Sequence, residues 1–369
     1  MNTNHNIIGN VPNTHRQIQF QNDYNEGAHP LILQRLAETN MEQTVGYGED
    51  HYCAEARRRI LEACEEPEAA VHFLVGGTQT NTTVIAAALR PHQGVLAAET
   101  GHINVHETGA IEHTGHKVLA LPSPDGKITA KQVADYVEAH RSDGSFEHMV
   151  QPGMVYISFP TEVGTIYTRD ELQALSEVCR AYELPLFVDG ARLGYGLAAP
   201  DCDVSLSELA ALCDVFYIGG TKVGALFGEA VVINHAGLQR DFRYLIKQHG
   251  GMLAKGRLLG LQFATLFTDN LYFDIARRAT ALALRIKAHL AARGIRFLYD
   301  SPTNQQFPIL PNAVLEALSR DFLFAHWERT DNRHTAVRIC TSWATTDAAV
   351  DALLHAFDAA MATTDAGMA

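Results

Sequence analysis

The stretch DVFYIGGTKVGALFGEAVVI, residues 214–233, decides how this chain is read. Val215 to Ile218 is a short apolar, β-branched run with the composition of a buried strand. It stops at Gly219-Gly220, presents Thr221 and Lys222, and turns through Gly224 and Gly228. Glu229 to Ile233 then has the composition of a second strand. A lysine hemmed in by glycines between two short strands admits two readings. One is a solvated turn residue. The other is a desolvated amine that loses its proton readily and can condense with an aldehyde.

Working outward, residues 186–193 read LFVDGARL. Four strand residues lead to Asp189 at the strand's C-terminal end, where open α/β sheets place their ligands. Such an aspartate can cap a helix or form a turn. It can also hold a protonated pyridine nitrogen. Pyridoxal phosphate chemistry needs both a condensing lysine and a carboxylate on the ring nitrogen, which keeps the ring an electron sink. Asp189 and Lys222 fit that pair.

Further segments carry a resemblance. They are Tyr47-Gly48-Glu49-Asp50, the strand–turn–helix with Gly77, Thr78 and Asn81, His102 five residues before Glu107, Asp189-Gly190-Ala191-Arg192, Lys222, and Gly250-Gly251-Met252. With these, residues 17–345 resemble the threonine aldolase and β-eliminating lyase family of type I, aspartate-aminotransferase-like pyridoxal phosphate enzymes. The resemblance implies an α/β fold, with a large domain built on a mostly parallel sheet flanked by helices and a smaller C-terminal α+β domain. It implies pyridoxal 5'-phosphate held by Lys222, with Asp189 on the ring nitrogen, His102 stacked on the ring, and Gly77, Thr78 and Asn81 in a phosphate loop. Arg192 is expected to reach the substrate carboxylate or the cofactor. Arg338, inside the apolar strand Val337-Arg338-Ile339, is expected to bind the substrate carboxylate through its guanidinium fork. Asn22-Asp23 stands where the family has a Ser-Asp pair that contributes to the active site, with Asn22 in place of the serine, and Tyr47 lies on a loop expected near the cofactor of a neighbouring subunit. Glu162 stands where the family has a histidine near the substrate hydroxyl. Acting as acid/base or merely lining the pocket are both open to it.

Bulk properties narrow the alternatives. A chain of 369 residues exceeds one ordinary core, so a large and a smaller domain are expected. A formal charge of −13 argues against nucleic acid or an anionic membrane surface as partner. The six cysteines form no CxxC pair, and no apolar run reaches transmembrane length, so a cytoplasmic protein with reduced thiols is expected. The expected layout is a flexible segment over 1–16, a cofactor-binding domain over 17–255, a small domain with bridging helices over 256–362, and a disordered tail over 363–369. Within it, alternating strands and helices over about 60–235 predict crossover units, with helices expected over Thr82–Leu89 and Arg169–Tyr182.

Individual residues keep plainer alternatives. Structural ion pairs would account for Arg192 and Arg338, and a turn would account for Asn22. His102 and His106, spaced i, i+4, would suit a metal-dependent hydrolase on a continuous helix, but Gly101 and the β-branched neighbours argue against that helix. The expected activity is aldol cleavage of a threonine-like β-hydroxy-α-amino acid to glycine and an aldehyde, with Lys222, His102 and Glu162 as catalytic residues. β-Elimination on a β-substituted or aromatic amino acid, with Lys222 removing the α-proton, is the alternative. A silent scaffold of the same fold has no chemical need for Lys222. Loops shared between subunits imply a homodimer or homotetramer.

Overall fold

Apolar runs bounded by glycine or polar turns become strands when neighbours cover them. The computed structural model describes residues 17–366, and its strands follow in order: β1 (Ile18–Gln19), β2 (Ala70–Leu74), β3 (Gln93–Ala98), β4 (Lys117–Leu121), β5 (Gln151–Ser158), β6 (Leu186–Asp189), β7 (Val215–Gly219), β8 (Glu229–Ile233), β9 (Gln305–Gln306), β10 (Ile309–Pro311), β11 (Phe322–Leu323), β12 (Ala325–Arg329) and β13 (His334–Cys340). A seven-stranded sheet has the order β2-β8-β7-β6-β5-β3-β4. Strands β3 to β7 pair in parallel, whereas β8 runs antiparallel to both β7 and β2. The C-terminal ends of β2, β5, β6 and β7 and the N-terminal end of β8 therefore share one edge.

Side chains alternate between the faces of this sheet with period two. Phe216 and Ile218 pack into the core on one side, with Leu96, Leu186 and Val188. Val215 and Tyr217 pack into the core on the other, with Val95, Tyr156 and Phe187. Each large side chain so buried contributes roughly 1.5–3 kcal/mol. Helices cover both faces, which is why every residue of β7 and β8 is buried.

A third core unites the C-terminal unit. It includes Leu282, Ile286, Leu310, Val337, Ile339 and Phe357, and also Phe20 from the start of the described chain. The N-terminal β1 pairs in parallel with β11, Ile18 opposite Phe322, so it belongs with the small unit. The helix Leu271–Ala291 joins the cores: Tyr272, Ala276 and Ala279 pack into the large one, and Leu282, Ile286 and Leu290 into the small one. The helix Arg257–Leu266 packs with the large core through Leu259, Phe263 and Leu266. The cores therefore divide inside Leu271–Ala291 rather than at residue 255. The last helix, Asp347–Ala366, runs past the expected start of the tail at 363. The N-terminal segment expected over 1–16 lies outside the described residues, as do 367–369.

Candidate active site

The shared strand edge opens into a cavity of about 520 Å³. Gly77, Thr78, His102, Glu162, Asp189, Arg192, Lys222 and Arg338 all line it, together with Tyr24, His106, Tyr217, Glu229 and Trp327. Residues as far apart in the chain as Tyr24 and Arg338 thus converge on one space.

Asp189 ends β6 and is 4% exposed. Gly190 must follow it, because a Cβ there would lie 1.9 Å from the Tyr217 carbonyl oxygen. The Asp189 carboxylate accepts from Tyr217 Oη at 2.5 Å and Ala191 N–H at 3.0 Å on one oxygen. The other oxygen accepts from Tyr156 Oη at 2.6 Å and Asn81 Nδ2 at 3.2 Å. Burial pushes this carboxyl's pKa up, but the His102 charge, the two phenols and the Ala191 amide outweigh it. The group is held below its ordinary range and stays ionised.

Lys222 follows the end of β7 by three residues. Burial and the Arg192 charge lower its pKa, against the pull of Asp23, Asp189 and Glu229. The net direction favours the neutral, nucleophilic amine. Its Nζ lies 5.9 Å from the centre of the Tyr24 ring.

The phosphate-loop residues open the helix Gly77–Ala88, which starts five residues before the expected Thr82. Its N-cap, Gly76, supplies no side-chain cap, so the first N–H groups are left for an anion. A Cβ on Gly77 would come within 3.1 Å of Tyr217 Oη, so the backbone there is bare on its cavity side. The Asn81 carboxamide lies deeper than a phosphate loop requires. It donates to Glu107 Oε1 at 2.7 Å as well as to Asp189. That same Glu107 oxygen holds His102 Nδ1 at 2.8 Å. One buried network therefore orients the imidazole and the ring-nitrogen carboxylate together.

Glu162 Oε1 accepts from Ser158 Oγ at 2.6 Å and from the His102 amide at 2.9 Å. Burial, the leading influence, raises its pKa, with Asp189 adding to it. Arg338 donates to Gln21 O at 3.1 Å, and its Nε is buried without a partner. Its guanidinium carbon is 5.8 Å from the Trp327 ring centre. Among the described residues no carboxylate pairs with it, so this lining cation presents unused donors to the cavity.

The structure places three further expected residues as follows. Arg192 lines the cavity, but its Nε and Nη2 are taken by Asp23 at 2.7 and 3.0 Å. Asn304 also donates to Asp23, at 2.9 Å. Asn22 is outside the lining, and its Oδ1 accepts from Tyr24 N–H at 3.0 Å in a local turn; the neighbouring Asp23, fully buried, meets the site only through Arg192. Tyr47 is 48% exposed and also outside this cavity, with its ring 5.0 Å from Lys247 Nζ. Tyr156 and Tyr217 were not foreseen as site residues. A phenol inside a buried strand needs an acceptor, and that was the available signal. As for the metal reading, no three His, Cys, Asp or Glu side chains among the described residues are grouped to hold an ion.

These residues fit pyridoxal phosphate. Asp189 is an ionised acceptor for a pyridinium, Lys222 a buried amine of lowered proton affinity for the aldehyde, and the start of Gly77–Ala88 an uncapped anion site. Relatives agree. The low-specificity L-threonine aldolase of Pseudomonas aeruginosa is 32% identical over 308 residues, 81% of this chain and 86% of that enzyme. That of a Pseudomonas sp. is 31% identical over 312 residues, 83% of this chain and 88% of that enzyme. A solved structure of Leishmania major threonine aldolase has a TM-score of 0.90 at 46% sequence identity, covering 92% of this chain and 98% of that one. The model of the beta-eliminating lyase family matches residues 23–313, and the chain belongs to that family.

Proposed function

We propose that this protein cleaves the Cα–Cβ bond of threonine-like β-hydroxy-α-amino acids, releasing glycine and an aldehyde, with pyridoxal 5'-phosphate as cofactor. The single observation that carries this is the convergence on one cavity of a lysine of lowered proton affinity, an ionised aspartate and an arginine that has no carboxylate partner among the described residues. The bound cofactor supplies a sink for the electron pair left at Cα.

The chain's own residues do the rest. Lys222 would hold the cofactor through its aldehyde. Asp189 would accept the proton-bearing ring nitrogen as a hydrogen-bond donor, and its four present donors keep it an ionised acceptor for that task. His102, oriented by Glu107, would pack against the ring. Arg338 grips the α-carboxylate, whose charge replaces what the arginine lacks inside the protein. Glu162 takes the proton from the β-hydroxyl as the carbonyl forms. A raised proton affinity suits a group that accepts and returns a proton near neutral pH. Arg192, clamped by Asp23, lends positive charge that keeps Lys222 deprotonated.

Tyr47 and the Gly250–Met252 loop, which lie outside this chain's cavity, serve a neighbouring subunit in a homodimer or homotetramer. No helix of the described residues is long and apolar enough to cross a membrane. The six cysteines are free, which supports a cytoplasmic location. Product analysis tests the reaction: threonine or phenylserine should give glycine and the matching aldehyde. Ammonia and a 2-oxo acid without glycine would instead establish elimination.

A further inference from the structure

Glu229 opens β8, opposite Gly219 of β7 and Leu74 of β2. It is 3% exposed and lines the cavity. Its Oε2 accepts the Gly220 N–H at 3.0 Å, and its Oε1 accepts the Thr221 hydroxyl at 2.8 Å. Thr221 Oγ1 in turn accepts the Gly228 N–H at 3.0 Å. One side chain therefore ties the two ends of the loop that carries Lys222. Two neutral donors are thin support for a buried carboxylate, and an uncharged acceptor could hold the turn at lower cost. A carboxyl at this place needs a use, and Lys222, carried by the turn it ties, lines the same cavity.

We propose that Glu229 is a positioning residue for Lys222: it clamps the Gly220–Thr221 turn that presents the amine, and it is the charge partner that this turn brings into the same cavity. The other charges on Lys222 are Arg192, opposing, and Asp23 and Asp189, assisting. Around Glu229 stand Lys222, Asp189, Tyr217 and Tyr272. Burial pushes the Glu229 carboxyl up to about 8, with Thr221, Lys222 and the Gly220 amide pulling the other way. Burial and Arg192 make the amine nucleophilic; Glu229 keeps it able to act as a base.

This rests on Lys222 being the reactive amine, and its test does not depend on turnover. The full-length protein, stripped of cofactor, is labelled with acetic anhydride across a pH series. The Lys222 peptide is quantified by mass spectrometry. Glu229→Gln should lower the pH midpoint of labelling by about one unit relative to wild type. Thr221→Val, which removes a donor that favours the ionised carboxylate, should lower it by less. A folded Glu229→Gln protein with an unmoved midpoint overturns the proposal. If that variant does not fold, an unmoved midpoint in Thr221→Val overturns it instead. Failure of the cofactor assignment would show separately, as wild-type protein that binds no pyridoxal phosphate while its labelling midpoint still responds to Glu229→Gln.

Discussion

At the scale of single residues, the site is a set of charges whose partners are deliberately unequal. Arg192 has its own carboxylate in Asp23, and Arg338 has none among the described residues. Charge-assisted bonds are each worth about 1.5–3 kcal/mol, so Arg338→Leu should raise KM for the amino acid by about one to two orders of magnitude, with a smaller change in kcat. Unchanged KM would remove Arg338 from the carboxylate site. Asp23 offers a stability test. Burial works to raise its pKa, but Arg192, Lys222 and Asn304 bring it down to about 2 from 3.8. A depressed carboxylate stabilises the fold above its unfolded value and loses that contribution as pH falls through its folded one. The pair should therefore contribute about 2 kcal/mol at neutral pH, intact above pH 4 and lost towards pH 2. Asp23→Asn should lower stability in urea at pH 7, and the gap to wild type should close as the pH falls to 2. Lys222, Asp189 and Arg338 were legible in the sequence because their residue types sit oddly in apolar or glycine-rich surroundings. Asp23 was legible only as half of the Asn22-Asp23 pair; its bond to Arg192, 169 positions away, comes from the fold alone.

At the scale of elements, local chemistry explains both what was foreseen and what was not. Arg169–Tyr182 matched its expected span because Thr168 and Glu171 form a reciprocal capping box at its start. Thr168→Ala should cost about 1 kcal/mol of unfolding free energy, measured by urea titration with the m-value unchanged. No loss would mean the cap is idle. The early start of Gly77–Ala88 was hidden by its composition. Gly-Thr-Gln-Thr-Asn-Thr has poor helix propensity. Its hydroxyls return to the helix: Thr80 to Gly76 O, Thr82 to Thr78 O and Thr83 to Gln79 O. That early start places Asn81 on the inner face, where it reaches Asp189. Strand β3 escaped notice for a related reason. Gln-Gly-Val-Leu-Ala-Ala is weak in β-formers, and pairing with β4 and β5 on either side makes it a strand.

At the scale of the whole molecule, a sheet with helices on both faces gathers its functional residues along one strand edge. The small unit is fastened to it by Leu271–Ala291, and Arg338 reaches the cavity from β13 of that unit. The sequence could announce a two-part α/β enzyme. It could not show that β1 from the beginning of the described chain completes the smaller part. The central claim is that the amine of Lys222 and the carboxylate of Asp189 serve opposite ends of one pyridine ring. Borohydride reduction of the purified protein, followed by peptide mass spectrometry, tests it most directly. The account predicts a yellow protein that bleaches on reduction, with the phosphopyridoxyl mass on Lys222 and no label in Lys222→Ala. A colourless wild-type protein, or the mass on another lysine, would contradict it.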